Sequence, residues 1–189
     1  VLVVERGQYS GAKNMTGGRI YTHSLAQVFP DTWKEAPLQR KVAHERISLM
    51  APDSNFTIDF TSRELEEDKN ASYTVLRAPF DQWLAEQAEN AGAEYIYGIA
   101  VEDLIIEDGK VCGINAFGDE LRSHVVILAD GVNSLLTSKA GLSKYAPATN
   151  EVAVGAKETI SLPAEVIESR FLCNPGEGAS WLFAGSVSN

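Results

Sequence analysis

The sequence predicts an α/β fold: a variant doubly wound domain, interrupted by a three-stranded β-meander and joined to a β-rich second domain. Three observations predict it. Residues 1–4 (Val-Leu-Val-Val) and 125–129 (Val-Val-Ile-Leu-Ala) are unbroken apolar runs, the pattern of strands buried on both faces of a parallel sheet. Residues 79–91 place Phe80, Trp83, Leu84, Ala88 and Ala91 at helical spacing, forming one apolar face. Tight turns at Asp108-Gly109 and Gly118-Asp119 cut the stretch 101–129 into successive antiparallel strands.

Taken in chain order, the strand at 1–4 ends at Glu5-Arg6-Gly7 and enters a glycine-rich polar loop over 8–18. Residues 24–28 read as a short helix, broken by Pro30-Asp31. Apolar runs at 46–50 and 56–60 flank Pro52-Asp53-Ser54-Asn55, which signals a β-hairpin. Residues 64–70 form an acidic loop, and Asp59, Glu64, Glu66, Glu67 and Asp68 read as a solvated patch. A strand follows at 72–76. Pro79 suits the first position of the main helix, and Gly92 suits its stop. A strand at 94–99 precedes the meander segments 101–106, 110–117 and 120–129. Asn133 or Ser134 is expected to cap a short helix ending at Gly141. Residues 152–160 read as a strand, 164–171 as a helix after Pro163, and 180–184 as a strand.

Charge and composition exclude several functions. With 26 acidic and 16 basic residues among 189, the net charge is −10, which argues against a nucleic-acid-binding face and against simple docking to anionic lipid. The hydrophobic share of 44% is ordinary for a globular chain, so disorder is excluded. No apolar run is long enough to cross a bilayer. Cys112 and Cys173 make no CxxC, zinc or iron–sulfur spacing, and His23, His44 and His124 make no metal set, so reduced thiols and structural histidines are expected. Trp33, Trp83 and Trp181 are expected in a core or interface. Because Val1 lies inside a strand pattern, the chain is expected to be a piece of a longer protein. The first βαβ turn and its glycine fingerprint would then lie outside it.

Four places could carry chemistry, each with two open readings. Glu5, directly after a strand, could accept hydrogen bonds from ribose hydroxyls or be a surface charge. The loop Ser10-Gly11-Ala12-Lys13-Asn14-Met15-Thr16-Gly17-Gly18-Arg19 could bring backbone N–H groups and cations to an anion, or be a surface turn. Arg77 could grip a pyrophosphate beside a helix N-terminus, or pair with Asp81. Asp130-Gly131 sits where open α/β sheets bind ligands, or is a plain turn with a cap.

The segments VLVVERG, GAKNMTGGRIYTHSL, SYTVLRAPFDQWLAEQAENAGA, VVILADGVNSLL, VAVGAKE and WLFAGS together resemble the FixC-type flavoproteins. These are relatives of electron transfer flavoprotein–quinone oxidoreductase, in a superfamily that also includes geranylgeranyl reductases and aromatic hydroxylases. The resemblance implies a partial FAD/NAD(P)-binding Rossmann-like domain over residues 1–45 and 72–145. A partial substrate or partner domain would cover 46–71 and 146–189. It implies FAD as cofactor and Glu5, Arg6, Lys13, Asn14, Thr16, Gly17, Gly18, Arg77, Val101, Ala129, Asp130 and Gly131 as cofactor-binding residues. Of these, Glu5 would meet the adenosine ribose, Val101 the adenine, Arg77 the pyrophosphate or ribityl chain, and Asp130-Gly131 the pyrophosphate. Lys13, Asn14, Thr16, Gly17 and Gly18 would lie near the isoalloxazine. Lys157 and Glu158 match a family element with no role assigned by their chemistry.

The implied activity is electron transfer between an electron transfer flavoprotein and a quinone or ferredoxin-like partner, in the cytoplasm or at the inner membrane surface. Competing readings are an NAD(P)H-dependent reductase or monooxygenase of the same superfamily, and a cofactor-free inactive fragment. The hydroxylase pattern carries an arginine three residues after the serine, where this chain has Thr137, which favours a partner protein as electron source. Without the GxGxxG segment, this chain by itself is expected to bind FAD poorly or not at all.

Overall fold

The computed structural model describes residues 1–15, 17–143 and 147–185. In chain order its elements are β1 (Leu2–Glu5), β2 (Arg19–Tyr21), α1 (Thr22–Val28), β3 (Leu38–Ala51), β4 (Ser54–Phe60), β5 (Ser72–Val75), α2 (Arg77–Asn90), β6 (Glu94–Tyr97), β7 (Val101–Glu107), β8 (Lys110–Ala116), β9 (Asp119–Arg122), α3 (Leu135–Lys139), α4 (Ala164–Phe171) and β10 (Glu177–Gly185). The chain divides into two compact units, Val1–Lys13 with Ala85–Ala156, and Asn14–Leu84 with Lys157–Asn189.

In the first unit β1 runs parallel to β6, in register from Leu2 opposite Glu94 to Glu5 opposite Tyr97. The pairing outlasts the strands: Ile99 N–H donates to the Glu5 carbonyl (3.1 Å) and Gly98 N–H to the Gly7 carbonyl (2.8 Å). The meander forms as β7–β8–β9, antiparallel throughout. Its turns have two successive residues at positive φ, Asp108 (50°) with Gly109 (74°), and Phe117 (56°) with Gly118 (79°). That is the twist a two-residue hairpin needs, and it places the second turn one residue earlier than expected. At Gly113 a Cβ would lie 2.4 Å from the Leu121 carbonyl oxygen, so only glycine allows β8 and β9 to approach this closely.

Two expected strands do not form. Residues 125–129 carry no strand pairing, and Val125 and Ile127 are 73% and 87% exposed. Residues 152–160 are likewise irregular, with Val154 fully exposed. An apolar run states a preference for burial, but a strand exists only where a neighbour accepts its hydrogen bonds. Among the described residues no strand lies beside either run.

The second unit is built on one five-stranded sheet, β10–β3–β5–β2 with β4 also paired to β3. The expected hairpin is β3–β4, closed around Pro52-Asp53, with Ala51 opposite Ser54. β10 lies parallel to β3. β2, which the sequence did not signal, is a three-residue strand held to β5, with Arg19 opposite Thr74. The core gathers Leu25 of α1, Trp33, Ala36, Val75 of β5, and Phe80 and Trp83 of α2. Phe29 meets the Trp83 ring edge-on at 5.1 Å. α2 begins at Arg77, two residues before Pro79. Proline is tolerated there because the first four N–H groups of a helix have no intrahelical partner. Gly92, at φ 93°, sits just beyond the helix end, as expected. α4 follows Pro163 over the expected residues.

Replacing Trp83 by Ala empties the middle of this cluster, and a loss of about 3–5 kcal/mol is expected, read as a lower urea midpoint with an unchanged slope.

Candidate functional site

In the second unit the glycine-rich loop is bound to the start of α2 by one carboxylate. Arg77 opens the helix, and its Nε and Nη2 donate to Asp81 Oδ1 and Oδ2, each at 3.0 Å. The two residues stand one helical turn apart, so the guanidinium fork meets the carboxylate edge-on. The Asp81 side chain is only 9% exposed, and Asn14 from the loop donates its side-chain amide to the same Oδ2. The salt bridge expected between Arg77 and Asp81 is thus present in the structure.

The loop then lies down on the arginine. Gly17 has φ 87°, and a Cβ there would sit 3.2 Å from Arg77 Cδ, so a larger residue would be both strained and crowded. Gly18 is different: a Cβ there meets nothing within 4 Å. Its carbonyl accepts from Val75 N–H (3.0 Å), tying the loop to β5. Lys157 reaches the loop from far along the chain, donating Nζ to the Gly17 carbonyl at 3.0 Å. Sequence reasoning singled out Lys157 but had no signal linking it to Gly17. Thr16 lies outside the described residues.

Arg19, expected to add charge to the loop, serves the sheet instead. Its Nη2 pairs with Glu45 at 2.6 Å, its Nε donates to Ser72 Oγ at 2.8 Å, and its guanidinium lies over the Tyr21 ring. The hydrogen bond from Arg19 holds the Glu45 carboxyl below its usual value. Asp59 is exposed, as expected of the acidic patch, but it is also paired. It accepts from Arg46 Nε (2.7 Å) and lies 3.2 Å from His44 Nδ1. Desolvation pushes its carboxyl up, but the Arg46 and His44 hydrogen bonds outweigh that and leave it lowered. Arg46 is buried and lies 5.2 Å from the Trp181 ring centre, beside a cavity of about 440 Å³ lined by Ser48, Thr57, Arg170 and Phe183. No sequence motif pointed to this cavity.

In the first unit Glu5 is half-buried at the end of β1, and its carboxylate accepts from Gly7 N–H. Arg6 and Lys13 are exposed, and Val101 starts β7 half-buried. Ala129 is exposed, and Gly131 has φ 78°. Asp130 is the cap of α3, a role expected of Asn133 or Ser134. One of its oxygens accepts from Leu136 N–H (2.8 Å) and Thr137 N–H (3.1 Å), and the other from Thr137 Oγ1 (2.6 Å). Ser134 is left-handed (φ 47°) and gives no side-chain cap; its hydroxyl bonds to the Gly131 carbonyl instead. The Thr137 hydroxyl, then its backbone N–H, hold the Asp130 carboxyl below its usual range. Among the described residues no group of three or more His, Cys, Asp or Glu could hold a metal, and no helix is long and apolar enough to cross a membrane.

The fold and this glycine loop place the chain in a class. It superposes on a geranylgeranyl bacteriochlorophyll reductase-like protein from Thermoplasma acidophilum with a TM-score of 0.61 and 25% identity, over 74% of this chain and 35% of that one. It shares the fold of the flavin-dependent brominase Bmp2 with a TM-score of 0.53 and 22% identity, over 75% of this chain and 34% of that one. The architecture is thus the Rossmann-like α/β fold of flavin-dependent oxidoreductases. Within that class the sequence is FixC-like along its entire length, as its motifs implied. It is 51% identical over 189 residues to Protein FixC of Salmonella typhi, and 49% identical over 191 residues to the probable electron transfer flavoprotein-quinone oxidoreductase YdiS of Escherichia coli. Each alignment takes in 100% of this chain and 44% of the relative, so the chain spans less than half the length of the curated relatives it matches. No family model matches the chain.

Two measurements probe these two aspartates. Asp130 should titrate below the ordinary 3.8. Its lowered folded value means that the cap's stabilisation is complete above the ordinary range and disappears as pH falls through the folded pKa. In an NMR pH series the Leu136 and Thr137 amide resonances should therefore move together, with a midpoint below the ordinary 3.8. Asp81→Ala removes the acceptor of Arg77 and Asn14, and should cost about 1–3 kcal/mol in urea denaturation.

Proposed function

We propose that this chain is the flavin-handling part of an FAD-dependent oxidoreductase that passes electrons between an electron transfer flavoprotein and a quinone or ferredoxin-like partner. One observation carries the reading: the similarity to FixC and to a probable electron transfer flavoprotein-quinone oxidoreductase runs unbroken from one end of the chain to the other.

The donor set suits the cofactor's anionic parts. In the second unit the open face over Gly18 has the cations Arg77 and Lys157 against the neighbouring Gly17. Backbone N–H groups and cations of this kind favour a phosphate or an electron-rich ring. On this reading Asn14, Thr16, Gly17, Gly18 and Arg77 serve the ring and ribityl end. In the first unit Glu5, Arg6, Val101, Ala129, Asp130 and Gly131 serve the adenosine and pyrophosphate end, with Lys13 at the edge of the loop.

When bound, the flavin supplies the redox chemistry. The chain's own work is to orient and to exclude. Asp81 holds the Arg77 fork in one position, so the arginine keeps its aliphatic stem under Gly17. Gly18, without a side chain, leaves that face clear for a planar group. Asp130, whose oxygens cap α3, fixes the turn at Gly131 beside the pyrophosphate end. Thr137, standing where the hydroxylase pattern has arginine, spends its hydroxyl on that cap. This supports a protein electron donor over a nicotinamide. Residues 1–45 and 72–145 would serve the nucleotide and 46–71 and 146–189 the partner, in a cytoplasmic protein that touches the inner membrane peripherally.

The test is a fluorescence titration of the full-length protein with FAD, followed by stopped-flow mixing of that protein with candidate donors. Arg77→Ala should weaken FAD binding about tenfold or more, as expected for losing a charged hydrogen-bond donor. Reduced electron transfer flavoprotein should bleach the flavin, and NADH or NADPH should leave it oxidised. Rapid bleaching by either nucleotide alone overturns the proposed electron source.

A further inference from the structure

We infer that Lys157 is a positioning residue that sets the direction of the Gly17–Gly18 peptide, so that the Gly18 N–H faces the open side of the loop; this rests on the flavin reading of that loop for its ligand. Lys157 lies 140 residues after Gly17, and its Nζ donates to the Gly17 carbonyl at 3.0 Å. That carbonyl and the Gly18 N–H belong to one trans peptide plane, so they point in opposite directions. Anchoring the oxygen on the ammonium therefore aims the N–H the other way.

The loop needs such an anchor. Glycine has two wide regions of backbone freedom, and adjacent glycines leave the plane between them free to flip. Two contacts limit the flip from other sides. The Arg77 stem lies 3.2 Å from where a Gly17 Cβ would be, and the Gly18 carbonyl is held by Val75 N–H at 3.0 Å. Neither contact touches the Gly17 carbonyl. Among the described residues Lys157 is the one that does, and its ammonium adds a positive charge to the same peptide. A Cβ on Gly18 would meet nothing within 4 Å, so the surface over that residue can receive a planar ligand. A carbonyl oxygen or deprotonated ring nitrogen of such a ligand is the acceptor that a single aimed N–H recognises.

Lys157 is exposed, so its replacement should leave the fold intact. Lys157→Met and Lys157→Arg are compared with the parent, the chain by NMR without cofactor and the full-length protein by FAD titration. Loss of the hydrogen bond in Lys157→Met should move the Gly17 carbonyl carbon resonance upfield. FAD affinity should fall about tenfold, the scale of one charge-assisted hydrogen bond. Lys157→Arg, which can still donate, should restore both. An unmoved Gly17 carbonyl in Lys157→Met overturns the inference. So does a full-length Lys157→Met protein that binds FAD as tightly as the parent. If the parent full-length protein binds no FAD, the ligand assignment falls, and the carbonyl resonance alone decides whether Lys157 orients the peptide.

Discussion

The carboxylate of Asp81 is the constraint on which the glycine loop depends. It is buried, so it must be paired. It takes both forked hydrogen bonds of Arg77 and the amide of Asn14, and so joins a helix start to a loop that has few other ties. Gly17 then has to be glycine, because it lies on the arginine stem in a left-handed conformation. A polar loop with adjacent glycines would otherwise sample many shapes. Here one buried charge, satisfied by two neighbours of different elements, narrows those shapes, together with the ties from Val75 and Lys157.

The same economy appears at Asp130. A carboxylate at the end of an apolar run reads as a ligand-binding group, yet its oxygens are taken by the first turn of α3. The helix is five residues long and would fray without this cap. Charge in this acidic chain is thus placed where a backbone or a cation already waits for it. Glu45 with Arg19 and Asp59 with Arg46 follow the same rule. A net charge of −10 therefore coexists with an ammonium at the glycine loop, that of Lys157, while the Arg77 charge is balanced by Asp81.

Much of the fold was legible because it is local. α4, the β3–β4 hairpin, the meander turns and the end of α2 are set by proline, glycine and period, all within a few residues of one another. The site was legible in part. The i, i+4 spacing of Arg77 and Asp81 announced their pair, and the motif resemblance singled out the glycine loop. The exchange of roles between Arg19 and Lys157 was not visible. Arg19 is close to the loop in sequence but is drawn to Glu45, 26 positions away, whereas Lys157 is distant in sequence and reaches Gly17. The Arg19 partner is set by how strands β2, β5 and β3 come together.

By itself, then, the sequence determined the α/β class, the hairpin and meander, the core tryptophans Trp33 and Trp83, and a FixC-like identity. Each of these follows from residue type and short-range spacing. Tertiary structure decided which apolar runs became strands and which polar groups met. Residues 125–129 have the composition of a buried strand, but a strand is a relation between two segments, and the second one is not written into the first. The cap at Asp130 and the anchor at Lys157 were decided in the same way, because a hydrogen bond requires two atoms to arrive at one place and sequence states only what each atom could accept or donate.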